Sequence, residues 1–209
     1  MMTRHARFLI PVATLLSACA VPEDATVNRA DLRADSADID RARFLERTLT
    51  EQIPTGSASY DGVFQSDAIV NGQEDYIVSG DLALAVDFQN DIRRTDNDVT
   101  GRISNVNLID NANDGFDDQR LTGDLDIAGR TTNGQLDARA IGVLGAVLSD
   151  TPFTETATWD LDLDGDFRSD FENADVVTGR VLGGTTGDNT NDYSVRLTNT
   201  GRFIGERTD

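Results

Sequence analysis

The sequence predicts an all-β protein: a single antiparallel up-and-down β-barrel of about eight strands, preceded by a tether and a short helix, with a β-sandwich as the alternative. Three observations predict it. Apolar and polar residues alternate with a period of two in several long runs, turn dipeptides separate those runs, and glycine recurs early in them. One apolar and one wet face is what antiparallel strands around a single core require.

Residues 1–18 read as a signal peptide. Arg4 and Arg7 give a positive start, Phe8 to Leu16 an apolar stretch, and small residues lead into Leu16-Ser17-Ala18-Cys19. That stretch is too short to span a bilayer, which takes about 20 apolar residues. The tetrapeptide resembles a bacterial lipobox, which implies removal of residues 1–18 and a lipid-modified Cys19 as the first residue. An ordinary secretory signal with an incidental cysteine is the alternative. Ala20 rather than Asp follows the cysteine, which fits outer-membrane sorting in bacteria that use that rule.

Residues 19–56 read as a lipid-anchored acidic tether. Val21 to Asp38 is polar and poor in large apolar side chains, a composition that buries no core. Some 35 such residues would reach roughly 120 Å at 3.3–3.6 Å each. Within the segment, Ile39, Ala42, Leu45, Leu49 and Ile53 share one helical face, so a short amphipathic helix is expected over residues 39–53. Pro54 and Gly56 close it.

Residues 57–209 carry the strand signals. Leu82, Leu84, Val86 and Phe88 alternate with Asp81, Ala83, Ala85 and Asp87; Leu121, Gly123, Leu125, Ile127 and Gly129 form a second run. Trp159, Leu161, Leu163 and Phe167 alternate with Thr158, Asp160, Asp162, Asp164 and Asp166. Between runs stand Asn71-Gly72, Asn113-Asp114-Gly115, Asn133-Gly134, Asp164-Gly165 and Thr186-Gly187-Asp188, dipeptides suited to the positive φ of tight hairpins. A polar-Gly-polar-apolar motif recurs, as in Ser79-Gly80-Asp81-Leu82, Thr178-Gly179-Arg180-Val181 and Thr200-Gly201-Arg202-Phe203. Its irregular spacing rules out a solenoid. Early glycines permit the bending that closure needs, and closing eight to ten strands removes both exposed edges.

Composition excludes several functions. With the signal removed, Arg4 and Arg7 go, leaving 16 of 18 cationic residues against 37 acidic ones, a net charge of −21. Such a chain is not built for nucleic acid, and anionic headgroups repel it, so membrane contact is expected through the N-terminal lipid. Lysine is absent, and His5, Met1 and Met2 all lie in the signal. Ser-His-Asp and Cys-His nucleophile systems, Schiff-base chemistry and His- or Cys-held zinc, iron–sulfur or haem sites therefore have no residues to use. Oxygen ligands alone remain, suited to calcium or magnesium.

Gly80-Asp81-Leu82-Ala83-Leu84-Ala85-Val86-Asp87-Phe88, Val99-Thr100-Gly101-Arg102-Ile103, and Gly165-Asp166-Phe167 followed by Ala174 to Gly179 resemble the barrel domain of transferrin-binding protein B-like lipoproteins, including the smaller single-barrel surface lipoproteins of the factor H-binding type. The resemblance runs from about Ser57 onward and implies a barrel that binds a partner. The transferrin binders have two lobes, each a handle and a barrel; this chain has room for one barrel. Arg168, Ser169 and Asp170 also follow Phe167 where the family usually has an aromatic and small residues. Transferrin capture and individual contact residues are therefore not carried over.

Other constellations have plainer readings. Asp160-Leu161-Asp162-Leu163-Asp164-Gly165 opens like a calcium loop, yet Phe171 stands at the twelfth position, with Glu172 one residue late. The aspartates are in phase with a strand's solvent face. Asp110, Asp114, Asp117 and Asp118 read as a solvated hairpin. Trp159 reads as core, while Tyr60, Tyr76 and Tyr193 are either strand girdles or edges offered to a partner or haem. Gly142 to Gly145 and Gly183 to Gly187 read as bent strands, lacking the Lys of phosphate loops.

Together these observations predict a monomeric, non-enzymatic outer-membrane lipoprotein that binds an unidentified protein or small ligand. No catalytic, cofactor or metal residue is assigned; Cys19 is the one site, and cell-surface and periplasm-facing placements stay open. A periplasm-facing structural envelope lipoprotein is the alternative. A carboxylate-only hydrolase ranks below both.

Overall fold

The computed structural model describes residues 23–48, 56–88, 98–112, 118–147, 154–169, 175–186 and 193–208. In chain order they form β1 (Glu23–Asp24), α1 (Arg29–Ala42), β2 (Glu46–Arg47), β3 (Ser57–Val70), β4 (Gln73–Asp87), β5 (Val99–Asp110) and β6 (Gln119–Arg120). Then come β7 (Leu125–Thr132), β8 (Gln135–Val147), β9 (Thr154–Ser169), β10 (Val176–Thr186), β11 (Val195–Leu197) and β12 (Arg202–Arg207). β3, β4, β5, β7, β8, β9, β10 and β12 pair antiparallel in succession, and β12 returns to β3. The all-β sheet thus bonds in a ring, in chain order, as an up-and-down barrel does.

Alternation fills the ring. Leu82, Leu84, Val86 and Phe88 are buried, as are Trp159, Leu161, Leu163 and Phe167, within one interior cluster to which every ring strand contributes. Their alternates Asp81, Ala83, Ala85 and Asp162 face water. Large aromatics are among the fully buried side chains. Phe167 meets Tyr60 at 5.6 Å and Phe88 at 5.1 Å between ring centroids. The recurrent glycines make room for such rings: a Cβ on Gly165 or Gly179 would come within 2.7 Å of Phe203, and one on Gly80 within 2.7 Å of Phe64. At Gly80, Gly165 and Gly179 the motif is thus a packing device, with glycine facing inward where an aromatic crosses it.

Two hairpins follow the turn signals. Asn71-Gly72 and Asn133-Gly134 all take positive φ and join β3 to β4 and β7 to β8, the two-residue pattern whose twist matches antiparallel strands. Asp164-Gly165 does not turn; it lies within β9, where Gly165 pairs with Gly179. The run expected from Leu121 to Gly129 is broken as well. β6 pairs with β5 at Asn107 and Leu108, whereas β7 takes up β5 at Ile103. Gly123, at φ 107, makes the break.

The N-terminal segment departs furthest from expectation. The helix spans Arg29–Ala42 rather than residues 39–53, and Glu46–Arg47 beyond it is a strand paired with Arg168 and Ser169. Leu49, Ile53 and Pro54 lie outside the described residues. Nor is the polar stretch a free tether from Glu23 onward, because Glu23 and Asp24 pair with β6. Local capping explains the helix. The Asn28 side chain accepts from the Ala30 and Asp31 amides, while Asp31 accepts from the Asn28 amide, a capping box worth on the order of 1 kcal/mol. Leu32, Ile39 and Ala42 are its buried residues, and Ile39 and Ala42 pack on Val176 and Ile204 of the ring's outer face.

Candidate functional surfaces

Residues 1–22, Cys19 and Ala20 among them, lie outside the described part of the chain. What the structure does place is the segment that follows. Arg120 pairs with Glu23, and the Thr26 amide donates to Asn107 Oδ1 at 2.8 Å while its hydroxyl donates to Asn105 Oδ1 at 2.8 Å. A bulge in β5 prepares this landing site. Ser79 pairs with Asn107 but Asp81 with Ser104, so three steps on β5 answer two on β4, and Asn105 takes φ 50. A bulge re-aims side chains; here two asparagines meet the incoming chain. Arg29 then donates to the Asp110 carbonyl at 2.7 Å.

Beyond α1, Arg168 fixes the return to the ring. Its guanidinium donates to the carbonyls of Arg43 at 3.0 Å and Leu45 at 2.8 Å, and the Thr48 amide donates to the Phe167 carbonyl at 3.0 Å. Asp35 on α1 is held above the usual carboxylate range, first by partial burial and then by the negative charges of Asp31, Asp38 and Asp81.

The outer wall is a ladder of opposite charges. Arg139 pairs with Asp160, Arg180 with Asp164, and Arg47 with Asp166. These aspartates project from one continuous strand, so the calcium-loop reading does not hold there: arginines answer the carboxylates and no loop is present. Of the second acidic group, Asp110 and Asp118 are described, and Asp118 accepts from the Asp110 amide at 2.9 Å; Asp114 and Asp117 lie outside the described residues. Among the described residues, no group of three or more His, Cys, Asp or Glu is placed to hold a metal ion. No helix among them is long and apolar enough to cross a membrane.

The tyrosines do not offer edges to a partner. Tyr60, Tyr76 and Tyr193 are all core residues, and Trp159 is fully buried. Among the described residues, Trp159 Nε1 and the Tyr193 hydroxyl meet no hydrogen-bond partner, and burial alone pushes the Tyr193 phenol far up. Both lie toward the Asn71-Gly72 end of the ring: Trp159 pairs with Thr185, whose hydroxyl accepts from the Val195 amide two residues past Tyr193.

Among the described residues, four large exposed apolar side chains escaped the sequence reading: Phe44 just past α1, Ile141 and Val143 on β8, and Leu182 on β10. For β8 the signal was present. Ile141 and Val143 are in phase with Asp137 and Arg139, so they fall on the strand's polar side. No family model matches the chain, and neither a curated protein nor a solved structure matches it.

Proposed function

We propose that this chain is an outer-membrane lipoprotein, anchored through Cys19, whose ring domain binds a macromolecular partner or ligand without catalysing a reaction, in the manner of the transferrin-binding protein B-like lipoproteins it resembles. One observation carries the reading. A positive start, an apolar stretch and Leu16-Ser17-Ala18-Cys19 stand at the N-terminal side of a chain with no lysine and no histidine after His5. The exported part therefore keeps arginines, carboxylates, hydroxyls and amides, a set suited to recognition. A ring whose interior is filled by side chains supports binding through its rims and outer wall.

Mass spectrometry of the mature protein tests the anchor: Cys19 should carry diacylglycerol and an acylated amine, and Cys19→Ser should leave the membrane fraction. An unmodified Cys19 overturns it. Affinity capture then tests binding. It needs the chain from Ala20 onward, because starting at Ser57 would strip Ile39 and Ala42 from Val176 and Ile204. Protease treatment of intact cells separates a surface-facing domain from a periplasm-facing envelope scaffold.

A further inference from the structure

The charge ladder of the outer wall is interrupted at β8. Ile141 and Val143 face outward and are 44% and 55% exposed, with Leu182 at 37%. Leu182 pairs with Asp162, which pairs with Arg139, so it lies two strands from β8, across β9. Single exposed aliphatics need no explanation, and Leu182 is one, but Ile141 and Val143 adjoin the place where the chain enters the sheet. Glu23 pairs with Arg120; two residues on, Thr122 bridges Gly145 of β8. The Gln119 side chain also exchanges hydrogen bonds with the Val147 backbone at 3.1 and 2.9 Å. The segment from Gln119 to Thr122 thus joins β1 to the half of β8 that carries Val143.

We infer that the outward face of β8 around Ile141 and Val143 lies against the bilayer surface, with α1 on the side turned away. This rests on the anchor proposed above, because what imposes it is the length of chain between lipid and ring. Only residues 20–22 separate Cys19 from Glu23. Four Cα steps reach at most about 14 Å, against the roughly 120 Å that a 35-residue tether would span. A leash so short cannot let the ring roll its far side down. That far side is the one α1 covers. In ring order β3 stands four strands from β8, and α1 packs over β3, β12 and β10 through Val63, Ile204 and Val176. The acidic surface has no attraction for headgroups; the leash holds the wall there, and the exposed aliphatics are what it presents.

Energy transfer on the full lipidated protein in phosphatidylcholine vesicles tests this. Thr158→Cys, whose residue pairs with Val143, reports the near wall, and Ala37→Cys, exposed on α1, the far one. Cys19 carries the lipid, so each dye has a single thiol. Transfer to a headgroup-labelled acceptor should be at least twofold greater from position 158. Inserting 20 Gly/Ser residues after Ala20 should abolish the difference. Equal transfer from a protein that floats with acylated Cys19 overturns the orientation alone, and a difference that survives the insertion overturns the leash as its cause. A chain that is neither acylated nor floating overturns the anchor and this inference with it. A lipid-free dimer that dissociates on Val143→Asp would assign the wall to a second copy and overturn it too.

Discussion

Inside the ring, β9 buries Trp159, Leu161, Leu163 and Phe167 among side chains from all the other ring strands, whereas α1 reaches the same sheet from outside with Leu32, Ile39 and Ala42. The first arrangement is held by area: each buried large side chain contributes about 1.5–3 kcal/mol, and all of them depend on closure. The second is held by a few apolar contacts, a capping box and bonds from Arg29 and Arg168 to backbone carbonyls. Stability in a folded chain is not uniform, and segments with few buried contacts open first. The N-terminal segment should therefore open below the unfolding free energy of the ring, although both belong to one packed body.

The largest blow to that contrast is aimed at the interior. Phe203→Ala removes the ring that covers Gly165 and Gly179, and denaturant unfolding should show a loss of about 3–5 kcal/mol affecting both regions. A loss confined to α1 would break the distinction. Ile39→Ala should cost about 2 kcal/mol, visible as faster hydrogen exchange across Arg29–Ala42 with the β-sheet's protection unchanged. Next comes Tyr193→Phe. Its hydroxyl is buried without a partner among the described residues, so removing it should raise ring stability by about 1 kcal/mol; a comparable loss would reveal a partner for that oxygen.

Asn28→Ala removes the acceptor at the start of α1 and should weaken helix docking by about 1 kcal/mol, read by the same exchange experiment. Asp35→Asn should give the smallest effect, a slight gain at neutral pH. Its folded pKa is raised, so the folded state holds a proton that the unfolded state has lost. The stability this proton brings is present at low pH and is lost as pH rises through the raised value. The gain should accordingly vanish in acid and shrink with salt, since the group is only partly buried and the neighbouring charges are screened.

The ring was legible because its signal is redundant. Every alternation from Leu82 to Phe88 and from Trp159 to Phe167 says the same thing, and Asn71-Gly72 and Asn133-Gly134 mark two of the turns. The helix was misread because its register rests on little: Leu32 and Ile39 stand seven residues apart in an otherwise polar stretch. Asn28 followed three residues later by Asp31 was the available sign, the spacing of a capping box with an acid shorter than the usual Glu. The break at Gly123 was hidden for the opposite reason, since Leu121 and Leu125 keep their phase across it and both stay buried. The exposed aliphatics on β8 were visible as a fault in the alternation. Their meaning depends on where β1 attaches, a long-range pairing that periodicity does not encode.

The seam at β12 has a consequence for how the molecule is made. That strand bonds to β3 on one side and to β10 on the other, with Gly62 facing Gly205 across the join. β11 bridges the same two strands nearer the Asn71-Gly72 turn, so until Val195 to Arg207 has been synthesised the growing sheet keeps two raw borders and an open hydrophobic trough. Premature compaction is thereby discouraged, and the same delay makes an escorting holdase most valuable just before the final strand slots in.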